Sequence, residues 1–112
     1  MLLTGTNMIS SFANASRLAA GLSNVDLIVC HDLFSNATIR AHADIVLPAT
    51  AWLEQLGCKM THTHLYLMDK MLPAPSQCHS LSEVLQGLGE HLDVADFFPW
   101  PNDEAFIDSV IN

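Results

Sequence analysis

The chain has 112 residues, of which four are Lys or Arg and twelve are Asp or Glu, so its formal charge at pH 7 is -8 with histidine neutral. This length suits no more than one domain, and a hydrophobic content of 50% excludes an intrinsically disordered segment. The acidic balance argues against a nucleic-acid partner, whose phosphates attract basic surfaces. No apolar run is long enough to span a membrane.

The amino terminus and the cysteines indicate a reducing compartment. The first apolar residues follow no basic segment and end at Gly5, so no signal peptide is predicted. Cys30, Cys58 and Cys78 are odd in number and widely spaced, which does not suit a disulfide framework. We therefore expect reduced thiols and a cytoplasmic protein.

The charges are unevenly distributed along the chain. All four basic residues precede Met71. The acidic residues that follow it are Glu83, Glu90, Asp93, Asp96, Asp103, Glu104 and Asp108. A solvated acidic face is the ordinary interpretation, and docking on a basic partner surface is the functional alternative.

The first half of the chain alternates between strand and helix signals. The predicted strands cover residues 1–6, 26–30 and 44–48, and the predicted helices cover residues 15–20 and 37–43. Polar residues that suit helix N-caps precede the helices: Ser10, Ser11, Asn14, Ser35 and Asn36. The second and third strands are continuous apolar runs, as expected of strands covered on both faces. This alternation with short connections predicts an α/β fold with a doubly wound parallel sheet and right-handed crossovers.

The middle of the chain carries weaker signals. Residues 50–54 suit a helical turn, and residues 60–68 have the composition of a strand. Pro73 and Pro75 favour extended backbone. We therefore predict an extended or linker segment over residues 58–79.

The last third of the chain predicts helices. Ser80 followed by Glu83 is a capping-box pattern for a helix over residues 81–92, whose apolar residues form one stripe. An aromatic, proline-rich turn covers residues 97–101, and Asp103 opens a short final helix. The whole chain is predicted to be one partial domain, with a βαβαβ core over residues 1–57, the extended segment 58–79 and a helical segment over residues 80–112.

The ends of the predicted strands form the candidate binding site, because ligands of doubly wound sheets lie at the carboxyl ends of the strands. Gly5 lets the backbone approach a phosphate, and Asn7 supplies a short donor beside a helix start. Asp32 stands where a carboxylate would hold a ribose diol. The ordinary interpretations are a plain turn for the first strand end and a turn or cap aspartate for the second. The single glycine excludes a dinucleotide fingerprint or a P-loop.

Zinc-type ligands occur in the middle of the chain. Cys58, His62 and His64 lie close in sequence, and Cys78 and His79 follow. On an alternating strand His62 and His64 would share a face, but the spacing matches no compact zinc motif. Solvent-side or packed histidines are therefore favoured, and no metal ligand is predicted. No catalytic residue is predicted either, since no nucleophile has a supporting motif.

The run from His42 to Gly57 resembles a family signature. It reads H-A-D-I-V-L-P-A-T-A-W-L-E-Q-L-G and is similar to the pattern A-D-hydrophobic-V-L-P-A-x-x-W-x-E-x-x-G of the molybdopterin oxidoreductases, which include formate dehydrogenase, periplasmic nitrate reductase and DMSO reductase. Four further segments resemble family motifs in the same order: residues 5–8 (G-x-N-P), 30–34 (v-x-D-x-f), 61–64 (T-N-T-E-R) and 73–77 (x-x-P-G-E). The resemblance extends from Leu2 to Leu92.

The resemblance implies a three-layer, Rossmann-like half-domain with a short parallel sheet flanked by helices. In this family the domain holds the guanosine and diphosphate of a molybdopterin guanine dinucleotide. By position, Asn7 would approach the cofactor at the first strand end, and His31 and Asp32 would hold the guanosine at the second, with Asp32 on the ribose hydroxyls. Gln55, the fourth implied contact, stands where nitrate-reductase-like members have lysine, and Leu81 stands where they have aspartate.

The resemblance also implies a part of a larger enzyme. Catalytic chains of this family are several-fold longer and carry a cysteine-rich iron–sulfur segment, whereas this sequence has no Cys-x-x-Cys pair. We expect a fragment or separately encoded piece of a molybdenum- or tungsten-dependent oxidoreductase that contributes to guanine dinucleotide binding. Alone it is expected to be inactive and to bind no cofactor, and its expected partner is the remainder of the oxidoreductase or its subunits.

Two alternatives stay open. One is a non-catalytic scaffold or assembly module of a degenerate family member that binds no cofactor, like the large iron–sulfur subunit of respiratory complex I. The other is a small metal-binding domain built on Cys58, His62 and His64. In isolation, the apolar residues 65–71 and the aromatic turn at residues 97–100 are expected to be exposed and to form a homo-oligomer contact.

Overall fold

The computed structural model describes residues 1–111, which form two compact units: Met1–Ala49 and the segment from Thr50 onward. The elements of the first unit are β1 (Leu2–Thr4), α1 (Met8–Ser11), α2 (Ala15–Leu22), β2 (Val29–Asp32), α3 (Ala37–His42) and β3 (Ile45–Pro48). The three strands form one parallel sheet in the order β1-β2-β3. The predicted α/β fold with a parallel sheet is therefore confirmed.

Asparagine side chains begin the two longer helices of this unit. The Asn14 side chain accepts a hydrogen bond from the Arg17 N–H (3.2 Å), and the Asn36 side chain accepts one from the Ile39 N–H (3.1 Å). Each bond satisfies a backbone donor that has no partner within the helix. Both predicted caps are confirmed, whereas Ser10 and Ser11 lie inside the additional short helix α1.

A small apolar core joins the helices to the sheet. Its buried members come from α2, from β2 and the residue before it, and from α3: Leu22, Ile28, Cys30 and Ile39. Half-buried apolar residues pack around them: Leu3, Ile9, Leu18, Val25 and Ala43. The core therefore depends on contacts among elements that are far apart in the sequence.

Two details of the strands differ from the prediction. The second strand lies three residues later at its start and two at its end, because the Ile28 N–H bonds to the Asp44 side chain (2.7 Å) instead of a strand, and Leu27 is 48% exposed. The third strand is not buried: Ile45 and Val46 are 46% and 49% exposed. Within residues 1–111 it is an edge strand of this sheet, and its strand partner is β2.

The second unit contains a hairpin and two helices. Its elements are a 3-10 turn (Trp52–Glu54), β4 (Gly57–Met60), β5 (Leu65–Met68), α4 (Leu81–His91), a 3-10 turn (Ala95–Phe97) and α5 (Asp103–Ile111). β4 and β5 pair antiparallel, so the single strand predicted over residues 60–68 is wrong. The turn forms because the Thr61 N–H bonds to the His64 carbonyl (2.8 Å) and the His64 N–H bonds to the Thr61 hydroxyl (3.0 Å).

The predicted capping box at the start of α4 is confirmed. The Ser80 hydroxyl accepts a bond from the Glu83 N–H (3.2 Å), and the Ser80 N–H donates to the Glu83 carboxylate (2.8 Å). This reciprocal pair gives hydrogen-bond partners to the backbone N–H groups of Ser80 and Glu83, and it marks the start of α4. Within residues 1–111, no helix combines the length and apolar character needed to cross a bilayer.

The aromatic turn before α5 is partly packed. The Trp100 ring makes edge contacts with the rings of Phe98 (6.0 Å between centroids) and Phe106 (5.0 Å). Phe97 is exposed, as are the apolar residues of β5. The expected exposure is thus confirmed for the hairpin and for Phe97, while Phe98 and Trp100 are half-buried.

Candidate functional site

The carboxyl ends of β1 and β2 lie side by side. Parallel pairing places Thr4 opposite His31, and the Gly5 N–H continues the pairing with a bond to the His31 carbonyl (3.0 Å). Asn7 follows the end of β1, and Asp32 is the last residue of β2. Three of the four predicted site residues, Asn7, His31 and Asp32, therefore lie at or just beyond the carboxyl ends of neighbouring strands.

Gly5 leaves the backbone open at this edge. Its φ of +53° is in the left-handed region, where residues with a side chain are strained, and a Cβ added there would meet nothing within 4 Å. Glycine therefore serves the backbone turn, and the open space lets another group approach the peptide. Both properties suit a loop that contacts a phosphate.

Asn7 has one side of its amide occupied. Its Oδ1 accepts a hydrogen bond from the Thr38 hydroxyl (3.1 Å). Asn7 is half-buried. The side chain is thus held by its oxygen and offers two N–H donors to a ligand.

Asp32 is both a turn aspartate and an available acceptor. Its Oδ1 accepts from the Phe34 N–H (3.1 Å), and its Oδ2 accepts from Asn36 Nδ2 (3.1 Å). The ordinary interpretation of this residue is therefore realised in the structure. Each carboxylate oxygen can accept more than one hydrogen bond, and Asp32 is half-buried, so both oxygens keep capacity for ligand hydroxyls.

His31 and Gln55 are less accessible to a ligand. The His31 side chain is 5% exposed, so little of the imidazole surface is presented. Gln55 belongs to the second unit, where its Oε1 accepts a bond from the buried Thr50 hydroxyl (2.8 Å). Asn7 and Asp32 therefore carry most of the binding hypothesis.

Cys30 precedes His31 in β2, and its thiol is expected to be unreactive. Burial, and secondly the nearby negative charge of Asp32, raise the pKa of the Cys30 thiol, because both disfavour the thiolate. Cys58, by contrast, is exposed. We do not count Cys30 as a nucleophile.

This difference predicts the order of thiol alkylation. At pH 8, iodoacetamide is expected to modify Cys58 first and Cys30 last, because the thiolate is the reacting form and Cys30 is both buried and protonated. The raised pKa also means that the protonated thiol favours folding below its ordinary pKa of 9.0, and that this stability is lost as the pH rises above that value. Peptide mass spectrometry over time measures the order. Faster labelling of Cys30 than of Cys58 would contradict it.

The histidines of the hairpin do not share a strand face. His62 and His64 lie in the turn between β4 and β5, and the ring of His64 stacks on that of Tyr66 (5.8 Å between centroids). Among residues 1–111 no group of three His, Cys, Asp or Glu side chains is placed to hold a metal ion. The expectation that an alternating strand presents both histidines is wrong, because the chain turns at Thr61.

Known proteins resemble this chain over most of its length. The family model for molybdopterin oxidoreductases matches residues 1–91. The chain belongs to the molybdopterin oxidoreductase family. Its sequence is 32% identical to acetylene hydratase of Syntrophotalea acetylenica over 104 residues, which is 85% of this chain and 13% of that protein. It is 33% identical to the probable oxidoreductase YoaE of Bacillus subtilis (strain 168) over 110 residues, which is 96% of this chain and 16% of that protein.

A solved structure has the same fold as this chain. Acetylene hydratase from Pelobacter acetylenicus superimposes with a TM-score of 0.84 over 96% of the chain, at 22% sequence identity. The matched region is 15% of that structure. The chain thus spans about a sixth or less of the length of the relatives it matches, and these are much larger proteins.

The strand ends offer hydrogen-bonding groups that fit a nucleotide. Asn7 presents amide donors, which suit phosphate or carbonyl oxygens, and Asp32 presents carboxylate acceptors, which suit ribose hydroxyls. The open backbone at Gly5 leaves room for the approach. The residues of the first unit are therefore compatible with a ligand that carries phosphate oxygens and sugar hydroxyls.

Sequence reasoning does not identify Thr38 as part of this arrangement. Thr38 is fully buried in α3 and is 31 residues from Asn7, its hydrogen-bond partner. A short polar residue beside Ile39, on the core side of a predicted helix, is the only signal in the sequence. Such a residue needs a buried partner, but the sequence does not say which one.

Proposed function

We propose that this chain forms part of the guanine dinucleotide-binding surface of a molybdenum- or tungsten-dependent oxidoreductase. The proposal rests on the parallel pairing of β1 and β2, because Asn7 follows the carboxyl end of β1 and Asp32 ends β2. Ligands of such sheets bind at the carboxyl ends of the strands. Membership of the molybdopterin oxidoreductase family supports this cofactor over another dinucleotide.

Each residue has a distinct part in the proposed site. Asn7 donates from Nδ2 to an oxygen of the phosphate or of the base, and Asp32 accepts hydrogen bonds from the ribose hydroxyls. His31, through its buried ring, has a smaller part. Gln55 lies in the second unit, and its contact with the cofactor stays a prediction from the family resemblance. The bound cofactor supplies the oxidation–reduction chemistry, and the polypeptide places it. The chain alone is expected to catalyse no reaction.

The proposed partner is the remainder of such an oxidoreductase. The hairpin supports this inference, because Met60, Leu65 and Leu67 are exposed and a two-stranded hairpin alone is only marginally stable in water. Relatives of this chain are several times longer, so a larger protein has the surface needed to cover the hairpin. A relative described as an oxidoreductase favours an enzyme over the scaffold alternative.

Guanosine diphosphate is the probe that tests the proposal. The chain alone is expected to hold no complete cofactor, but guanosine diphosphate represents only the end that the first unit would hold, and weak binding of that end is measurable by NMR titration of the 15N-labelled 112-residue chain. We expect amide shifts concentrated at Gly5, Asn7 and Asp32, and smaller shifts with adenosine diphosphate as the control for the base. Shifts confined to residues after Thr50, or an absence of shifts, would overturn the proposed function.

A further inference from the structure

The first turn of α3 contacts both strand ends of the proposed site. The Thr38 hydroxyl donates to Asn7 Oδ1 (3.1 Å) and accepts a hydrogen bond from the Ile9 N–H (3.0 Å). Thr38 has no exposed surface, so water does not compete for these bonds. The helix is thereby joined to the segment that follows β1.

Asn36 makes the corresponding contact with the end of β2. Its Nδ2 donates to Asp32 Oδ2 (3.1 Å) and also to the Thr6 carbonyl (3.2 Å). Its Oδ1 accepts the Ile39 N–H at the start of α3 (3.1 Å). One side chain therefore contacts the ends of both strands and the helix at the same time.

We propose that Asn36 and Thr38 are positioning residues that hold Asp32 and Asn7 in the orientation that binds the nucleotide. This inference rests on the proposed function, because it needs Asn7 and Asp32 to be the ligand contacts. Unheld asparagine and aspartate side chains would lose rotamer freedom on binding, which weakens affinity. In this fold that freedom is already removed by α3.

The arrangement also determines which atoms are left for the ligand. The Thr38 hydroxyl donates to the oxygen of the Asn7 amide, which fixes the orientation of the amide and directs its two Nδ2 N–H donors away from Thr38. Asn36 Nδ2 and the Phe34 N–H each donate one hydrogen bond to Asp32, and each carboxylate oxygen can still accept another. The site therefore selects a ligand that has acceptor oxygens beside hydroxyl donors, which is the pattern of a nucleoside diphosphate.

The test compares two substitutions at one buried position. T38V replaces the hydroxyl by a methyl group of similar size, whereas T38S keeps the hydroxyl and loses the methyl group. We expect T38V to raise the dissociation constant of guanosine diphosphate about tenfold, the size of one lost hydrogen bond, and T38S to stay within about twofold. Equal affinities for T38V and the unchanged chain would overturn the inference.

A double-mutant comparison separates positioning from a general loss of structure. If Thr38 acts through Asn7, T38V is expected to have no further effect on affinity when Asn7 is already alanine. A purely structural role would weaken binding equally in the N7A background, and that result would also overturn the inference. Should T38V fail to fold, N36S takes its place, because serine still caps α3 but is too short to reach Asp32, and D32A is the matching background.

Measurements without ligand distinguish this inference from the proposed function. The side-chain NH2 signals of Asn7 report its mobility through 15N relaxation. We expect an ordered side chain in the unchanged chain and in T38S, and a more mobile one in T38V. If guanosine diphosphate does not bind the unchanged chain, the proposed function fails, and so does the ligand part of this inference. Unchanged Asn7 mobility in T38V would refute the positioning contact itself.

Discussion

Replacing Asp32 by alanine is expected to weaken guanosine diphosphate binding about 30-fold or more while leaving the fold in place. The loss corresponds to about 2 kcal/mol, the size of a hydrogen bond to a charged group. The fold tolerates the change because the Phe34 N–H is at an exposed turn and reaches water, and Asn36 Nδ2 keeps its bond to the Thr6 carbonyl. NMR titration gives the affinity, and the amide spectrum without ligand reports the fold.

Two controls make this expectation specific. D26A removes an exposed carboxylate of the same unit and the same charge, so an unselective electrostatic effect would appear in both variants. D32N keeps a side chain that accepts the Phe34 N–H but removes the negative charge, and we expect a loss of affinity between those of D26A and D32A. Unchanged affinity in D32A would remove Asp32 from the site.

The arrangement of strands is the part of the fold that local sequence patterns predict well. Apolar runs of four to five residues alternate with capped helical stretches, and Asn14 and Asn36 mark helix starts through bonds to residues three positions later. Such signals are local, so the sequence contains both partners of each contact. The same reasoning places Asn7 and Asp32 at neighbouring strand ends, because Asn7 follows β1, Asp32 ends β2, and the parallel pairing of these strands brings their carboxyl ends together. Their contact with a ligand stays a prediction.

Strand boundaries and burial depend on partners far away in the chain. The start of β2 moves because Asp44 takes the Ile28 N–H from 16 residues away. The exposure of β3 depends on which strands surround it, since an apolar run is compatible with both a covered strand and an edge strand. Neither fact is visible in the local pattern.

The sequence does not predict the hairpin, for a different reason. Its turn, residues 61–64, contains no glycine, proline, asparagine or aspartate, which are the usual turn residues. The Thr61 hydroxyl replaces them by accepting the His64 N–H. Thr38 is missed in the same way, because a hydroxyl that is used in one particular hydrogen bond looks like any other threonine in the sequence.

Replacing Ile28 by alanine is expected to cause the largest loss of stability in the first unit. Ile28 is 1% exposed and is one of only four buried apolar residues in the core of that unit. Removing three of its carbons leaves a cavity as well as losing burial, and such changes cost about 2–5 kcal/mol. A small core has few other contacts to compensate for the loss, and whole domains are stable by only about 5–15 kcal/mol.

Amide hydrogen exchange is the appropriate measurement, because residues 1–49 contain no tryptophan or tyrosine whose fluorescence would report on this unit. Protection of the Cys30 amide in β2 is expected to fall about 150-fold in I28A, which corresponds to about 3 kcal/mol.

Leu27 is the matched control: it is the adjacent residue but is 48% exposed, so L27A is expected to change stability by less than about 0.5 kcal/mol. If I28A does not fold, I28V is expected to lose about 1 kcal/mol. A loss in L27A as large as that in either Ile28 variant would show that the core is not centred on Ile28, and the sheet that carries Asn7 and Asp32 would then need a different packing explanation.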